Sequence, residues 1–278
     1  FCLPDGITFT TQTQVDNFPT DYPDCTEILG DVTIQSGSDI TNLDSLAQIL
    51  TIQGNLTIQD NSNLDSLTGL HNLDTIGGDF NLINNDLFAN LTDLENLHFI
   101  GGSITIENND NLEDVTGLEE IITLEGGLIF RYNNGLGSIT GLDNLSFIRQ
   151  DVQVEGNENL PDLTGLGMLQ TIEGSLILKS NDNLTNFEGL NQIMSIGGDI
   201  NLTNNDTLND LSSLMPLTMI GGSFTISHNN SLTDLEGLNN LQYIGKFFNI
   251  EGNSALNNLS ALSNLELIDG RFTIINND

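Results

Sequence analysis

The stretch Ile220-Gly221-Gly222-Ser223-Phe224-Thr225-Ile226-Ser227-His228-Asn229, continued by Leu232, Leu235, Leu238 and Leu241, decides the fold, because its pattern recurs every 24 residues. With Ile220 as position one, the same slot holds Ile28, Ile52, Ile76, Ile100, Leu124, Ile148, Ile172, Ile196, Ile244 and Ile268. The spacing runs from residue 28 to residue 278 without insertion or deletion. A strict period of this length marks a solenoid, in which each repeat is one coil that buries its apolar face against its neighbours. The chain divides into an N-terminal cap, 1–27, and a solenoid, 28–278, of ten full repeats and a partial eleventh.

Within a repeat, position three is glycine in nine of eleven cases, Gln150 and Lys246 being the exceptions. Glycine opens a corner that other residues resist. Positions five and seven are apolar, as in Leu56 and Ile58, Phe80 and Leu82, or Ile104 and Ile106, while four, six and eight are mostly polar. That alternation is a half-buried strand. Position ten is asparagine in ten repeats: Asn61, Asn85, Asn109, Asn133, Asn157, Asn181, Asn205, Asn229, Asn253 and Asn277, with Gly37 in the first. Stacked asparagines can bond each other and the turning backbone, so the column reads as structural. Positions 13, 16, 19 and 22 are apolar almost throughout, as in Leu160, Leu163, Leu166 and Leu169. A step of three would smear this stripe around an α-helix of about 3.6 residues per turn, whereas a 3₁₀ or polygonal path keeps it on one side. Glycine at position 18 (Gly69, Gly117, Gly141, Gly165, Gly189, Gly237) also argues against a stable helix. The expected fold is a β-rich solenoid with one main parallel sheet and irregular or short helical segments opposite.

The strand-to-asparagine stretch, as in Ile200, Leu202 and Asn205, resembles the leucine-rich repeat consensus. The glycine-led form Ile220-Gly221-Gly222-Ser223-Phe224-Thr225-Ile226 is more specifically similar to the receptor L-domain group. The resemblance covers residues 28–278 and implies a compact right-handed β-helix of 24-residue coils. It implies no particular ligand, and the multiple cysteines of growth-factor receptor L domains are missing. Within the group, the better match is to secreted or surface-anchored bacterial proteins built from such repeats.

Charge narrows the partners. Five Lys and Arg face 39 Asp and Glu, a net charge of −34. Such a chain repels nucleic acid and anionic membrane surfaces, and it suits a soluble secreted or cell-surface protein. No apolar run is long enough to span a membrane as a helix. Cys2 and Cys25 both precede the first repeat and are read as one disulfide pinning the cap. Closing that loop contributes roughly 3 kcal/mol and implies an oxidising compartment. The last repeat stops just after Asn277, and a solenoid needs a capping segment. The expectation is a chain that continues beyond Asp278 into a cap or further domains, or a terminal coil covered by a partner.

Catalytic constellations are missing. His71, His98 and His228 occupy three different repeat positions, and no metalloprotease, nucleophile-elbow or phosphate-loop motif occurs. The chain is read as non-enzymatic and without a cofactor. Calcium in acidic loops such as Asp60-Asn61-Ser62-Asn63 and Asn108-Asn109-Asp110-Asn111 is a weaker alternative, since no EF-hand or RTX-type repeat is matched. Eight Asn-x-Ser/Thr sequons occur, two of them on the column residues Asn205 and Asn229, where a glycan has no room.

Binding is sought on the outward strand face. Position six runs through Thr and Asn until Ile129, Gln153 and Ile177 interrupt it; position eight carries Arg131, Glu155 and Lys179 in the same coils. Apolar residues beside Arg131 and Tyr132 have the make-up of a binding hot spot. The candidate set is Ile129, Arg131, Tyr132, Gln153, Glu155, Ile177 and Lys179, with a second patch of Phe247, Arg271 and Ile275. The expected role is a recognition or adhesion module for a protein or glycan. The alternatives are a structural stalk and, through the interrupted Thr/Asn column, an ice-binding solenoid.

Overall fold

The computed structural model of the chain describes residues 1–277. Coils are numbered here from coil 1 at Ile28 to coil 11 at Ile268. Positions five to eight form the strands, from Val32–Ile34 in coil 1 through Leu128–Arg131 in coil 5 to Phe272–Ile275 in coil 11. Each strand pairs in parallel with the residue one period on, as in Leu128 with Val152 and Ile129 with Gln153. The cap adds its own strand, Ile7–Phe9, beside Val32–Ile34, which makes the long sheet twelve-stranded. Alternate residues point inward, so Leu56, Ile58, Phe80, Leu82 and their equivalents through coil 9 are wholly buried together with the leucines of positions 13 to 22, while Phe272 and Ile274 in the last coil are about half exposed. Removing one such side chain from water contributes about 1.5–3 kcal/mol. No helix among the described residues is long and apolar enough to cross a membrane.

A second, narrow line of sheet was not anticipated. Positions 24 and one form two-residue strands, such as Thr51–Ile52 and Tyr243–Ile244. They stack as a four-stranded and a seven-stranded sheet, separated between Phe99–Ile100 and Thr123–Leu124. The side opposite the long sheet holds short 3₁₀ turns in coils whose position 18 is Ser45, Asp93, Ser213 or Ala261. Where Gly117, Gly141, Gly165, Gly189 or Gly237 stands instead, φ is between +105 and +121° and the segment turns without a helix. A Cβ there would strike the preceding coil's backbone carbonyl, that of Ile139 in the case of Gly165. Gly69 is an exception, since a 3₁₀ turn forms through it.

Three columns of polar side chains tie coil to coil. In the buried column the position-ten asparagines from Asn61 to Asn253 are fully covered, and Asn277 in the last coil is partly so. The Asn157 Oδ1 accepts from the Asn133 backbone N–H at 3.1 Å, and its Nδ2 donates to the Phe130 carbonyl at 3.1 Å. Coil 1, which has Gly37 in this slot, supplies Ser36, whose N–H and hydroxyl donate to Asn61 Oδ1. A second column lies at position four, where a side-chain oxygen accepts the backbone N–H one period on. Asp31 serves Asn55, Asn55 serves Asp79, Asp151 serves Ser175 and Asp199 serves Ser223, each at 2.7 Å. A third, exposed column lies at position 21. Asn72, Asn96, Asn144, Asn240 and Asn264 each donate through Nδ2 to the position-20 carbonyl of the preceding coil, at 2.7 to 2.9 Å.

The cap closes one end. The helix Gln12–Asp21 starts on a capping box between Thr11 and Gln14 and buries Val15 and Phe18. Phe18 packs edge-on against Phe9, at 5.6 Å between ring centroids. Cys2 and Cys25 are joined, with their Cα atoms 5.6 Å apart.

Candidate functional site

The outward face of the long sheet is built by the strands' pleat, which turns positions six and eight to solvent. In coils 5 to 7 the strands Leu128–Arg131, Val152–Glu155 and Leu176–Lys179 bring Ile129, Gln153 and Ile177 into one row and Arg131, Glu155 and Lys179 into the next. Six of the seven predicted residues therefore form one half-buried block. Tyr132 adjoins it on the turn that follows Arg131, with 45% of its surface exposed.

Charges alternate across the position-eight row from Glu107 through Arg131 and Glu155 to Lys179. The Arg131 guanidinium lies 3.6 Å from the Glu107 carboxylate and donates to Gln153 Oε1 at 2.6 Å. Gln153 in turn donates to Glu155 Oε2 at 2.8 Å. Lys179 has no carboxylate within 4.0 Å among the described residues, although Glu155 is its register neighbour. Arg131 is thus pre-oriented by two partners, while the Lys179 ammonium is available to an incoming acceptor. Strand spacing puts these two cations roughly 10 Å apart along the sheet.

Tyr132 has a local signature that the sequence reading did not extract. Position nine takes left-handed backbone in coil after coil, with φ of +55° at Asp60 and +56° at Asn84. Asparagine, aspartate and glycine tolerate this conformation, whereas a bulky side chain pays about 1–2 kcal/mol. Tyr132 sits there at φ +55°. Its ring lies over Gly156, the same slot one coil on, where a Cβ would run into the ring. The Tyr132 hydroxyl reaches Glu155 Oε1 at 3.4 Å. His228 and Gly252 repeat the arrangement in coils 9 and 10. The signal was available: the two glycines at position nine, Gly156 and Gly252, each follow by one period the aromatic rings of Tyr132 and His228.

The remaining basic residues are more dispersed. Arg149 pairs with Glu125 at 2.6 Å and lies over the Phe147 ring at 5.7 Å, beside the narrow sheet. Lys246 reaches Asp199 at 4.0 Å. In the second predicted patch, Phe247 and Arg271 share position four in adjacent coils, and the Arg271 carbonyl accepts from Phe248. Ile275 pairs with Glu251 at the other end of that strand, so it extends the outward face rather than joining Phe247. No group of three or more His, Cys, Asp or Glu side chains among the described residues is arranged to hold a metal ion.

A family model described as Receptor L domain matches residues 24–101. Residues 24–101 are thus similar to receptor L domains, and the chain as a whole is a parallel β-solenoid of 24-residue coils. The match ends in coil 4, while the same 24-residue pattern carries on through the later coils. Among solved structures, a leucine-rich repeat protein from Bacteroides ovatus is similar at 10% identity, with 96% of this chain and 78% of that chain covered and a TM-score of 0.28. No curated protein compared with the chain matches it. The coarse role that goes with a receptor L domain is a ligand-binding or structural module.

Proposed function

We propose that the protein is a secreted or cell-surface recognition module without catalytic activity, which takes a protein or glycan ligand on the outward face of coils 5 to 7. The observation that carries this reading is the exposed Tyr132 ring, held in an unfavourable backbone conformation beside a pre-oriented Arg131 and an unpaired Lys179. Rigid aromatic and arginine side chains next to aliphatic ones are what interface hot spots are made of. Ile129 and Ile177 supply the apolar flanks, and Gln153 and Glu155 supply directional hydrogen bonds. The Cys2–Cys25 disulfide supports an oxidising compartment, and the receptor L-domain match supports an extracellular protein ligand.

Double substitution R131A/K179A tests the site. Capture of ligand from surface extracts, or binding on a glycan array, should fall at least about tenfold while the thermal transition stays in place. Unchanged capture by the folded double variant removes this face from consideration. The alternating charges of Glu107, Arg131, Glu155 and Lys179 favour a second reading, a stalk whose face is neutralised internally and binds nothing. Twelve strands at about 4.8 Å give it a reach of roughly 50 Å. A stalk predicts that neither wild type nor variant retains any ligand.

A further inference from the structure

The exposed asparagine column is interrupted singly at Gln48 and Glu120, and fails over a run of three consecutive coils only once. In coils 6, 7 and 8 position 21 holds Met168, Gln192 and Pro216. The carbonyls of Asp143, Gly167 and Asn191, which asparagines would cap, accept no hydrogen bond among the described residues. They are consecutive rungs, about 4.8 Å apart. The same three coils hold all four methionines of the chain. None of them is in the core: Met168 is 49% exposed, Met194 52%, Met215 43% and Met219 42%. A shallow groove of about 460 Å³ opens here, lined by Asp143, Gly167, Met168, Glu188, Asn191 and Gln192 among others. Coil stacking sets Met215 beside Asn191 and prolongs the groove by one coil. Gly167 has no left-handed φ, and a Cβ on it would meet nothing within 4 Å. Neither backbone nor packing asks for glycine there; what its missing side chain does is leave the groove open.

We propose that this groove binds an extended, cationic, amphipathic peptide segment of a partner protein. Thioether side chains adapt to apolar groups of varied shape. Lysine or arginine side chains of the partner would donate to the uncapped carbonyls and face Asp143 and Glu188. They would also be drawn in by a chain with 39 acidic and five basic residues. Charge decides among occupants: a second copy would set −34 against −34, and nucleic acid or anionic lipid is repelled as well. The groove lies away from the long sheet, so its ligand is distinct from the one assigned to Arg131 and Lys179.

The probe is a fluorescein-labelled peptide of about twelve alternating Lys and Leu residues, with a Lys–Ser peptide of equal charge as control, at physiological salt. Anisotropy should show the Lys–Leu peptide binding at least about tenfold more tightly than the control. Gly167→Gln puts a side chain into the groove from a position where a Cβ meets nothing within 4 Å, and should weaken the Lys–Leu peptide about tenfold, whereas R131A/K179A should not weaken it. The Lys–Leu peptide should also slow peroxide oxidation of Met168, which lines the groove, read by mass spectrometry, and the Lys–Ser peptide should not. Equal binding of both peptides, indifference to Gly167→Gln, an unprotected Met168 or no binding at all would each overturn the assignment.

Discussion

Two asparagine columns run the length of this solenoid, and they have different histories. The buried one, at position ten, is unbroken from Asn61 to Asn277; the exposed one, at position 21, has five members and other residues at Gln48, Glu120, Met168, Gln192 and Pro216. Both do the same chemistry, donating a side-chain N–H to a carbonyl of the preceding coil. What differs is access to water. A buried carbonyl or N–H that loses its partner costs about 1–3 kcal/mol, whereas an exposed one bonds to solvent. The column that water cannot replace holds asparagine in every coil from 2 to 11, and the column that water can replace admits other residues.

Asn157→Ala should therefore produce the largest effect. It strands the Asn133 N–H and the Phe130 carbonyl in the core, for a loss of roughly 3–5 kcal/mol in chemical denaturation. Because a solenoid is held by nearest-neighbour interfaces, hydrogen exchange should rise first in coils 5 to 7. A loss below about 1 kcal/mol would mean that water enters the turn, and the contrast between the columns would collapse.

The position-four column provides an intermediate rung. Asp199 is half-buried, and the Ser223 N–H it accepts belongs to a residue only 3% exposed. Asp199→Ala should cost about 1–2 kcal/mol, with Asp199→Asn recovering most of it because the acceptor is kept. Denaturation midpoints for the pair decide this: equal losses in both variants would point to the Lys246 ion pair rather than the hydrogen bond.

These ranks bear on what the sequence made legible. Period, strand and buried column were open to reading because one residue type or one polarity repeats at fixed spacing. The 24-residue ruler located Arg131, Gln153, Glu155 and Lys179 on one face, and the parallel register sets them side by side. The narrow sheet was hidden because two-residue strands leave no alternation to detect. The position-four column was hidden for another reason: Asp31, Asn55, Ser103 and Asp199 differ in type and share only an acceptor oxygen. Tyr132 was chosen for its chemistry, but its fit with Gly156 depends on a left-handed φ that polarity patterns do not encode. The gap over coils 6 to 8 gains meaning only once the structure shows which carbonyl each position-21 asparagine caps.

The exposed column predicts small effects. Asn144→Ala frees the Glu119 carbonyl to solvent and should cost no more than about 0.5 kcal/mol. A loss near that of Asn157→Ala would show that coil stacking, rather than burial, sets the value of a rung.

Smallest of all, Met168→Asn restores the missing donor opposite the Asp143 carbonyl and should change stability by a few tenths of a kcal/mol at most, in the favourable direction. Its value lies in what it separates. Met168 is half exposed and contributes nothing to the core, so the fold has no reason to prefer it over the asparagine that five other repeats, among them those of Asn144 and Asn240, carry. A variant as stable as wild type that has lost the Lys–Leu peptide would mean that the gap serves binding. A variant markedly less stable would mean that methionine packs something the exposed column does not, and the groove would then be a by-product of that packing.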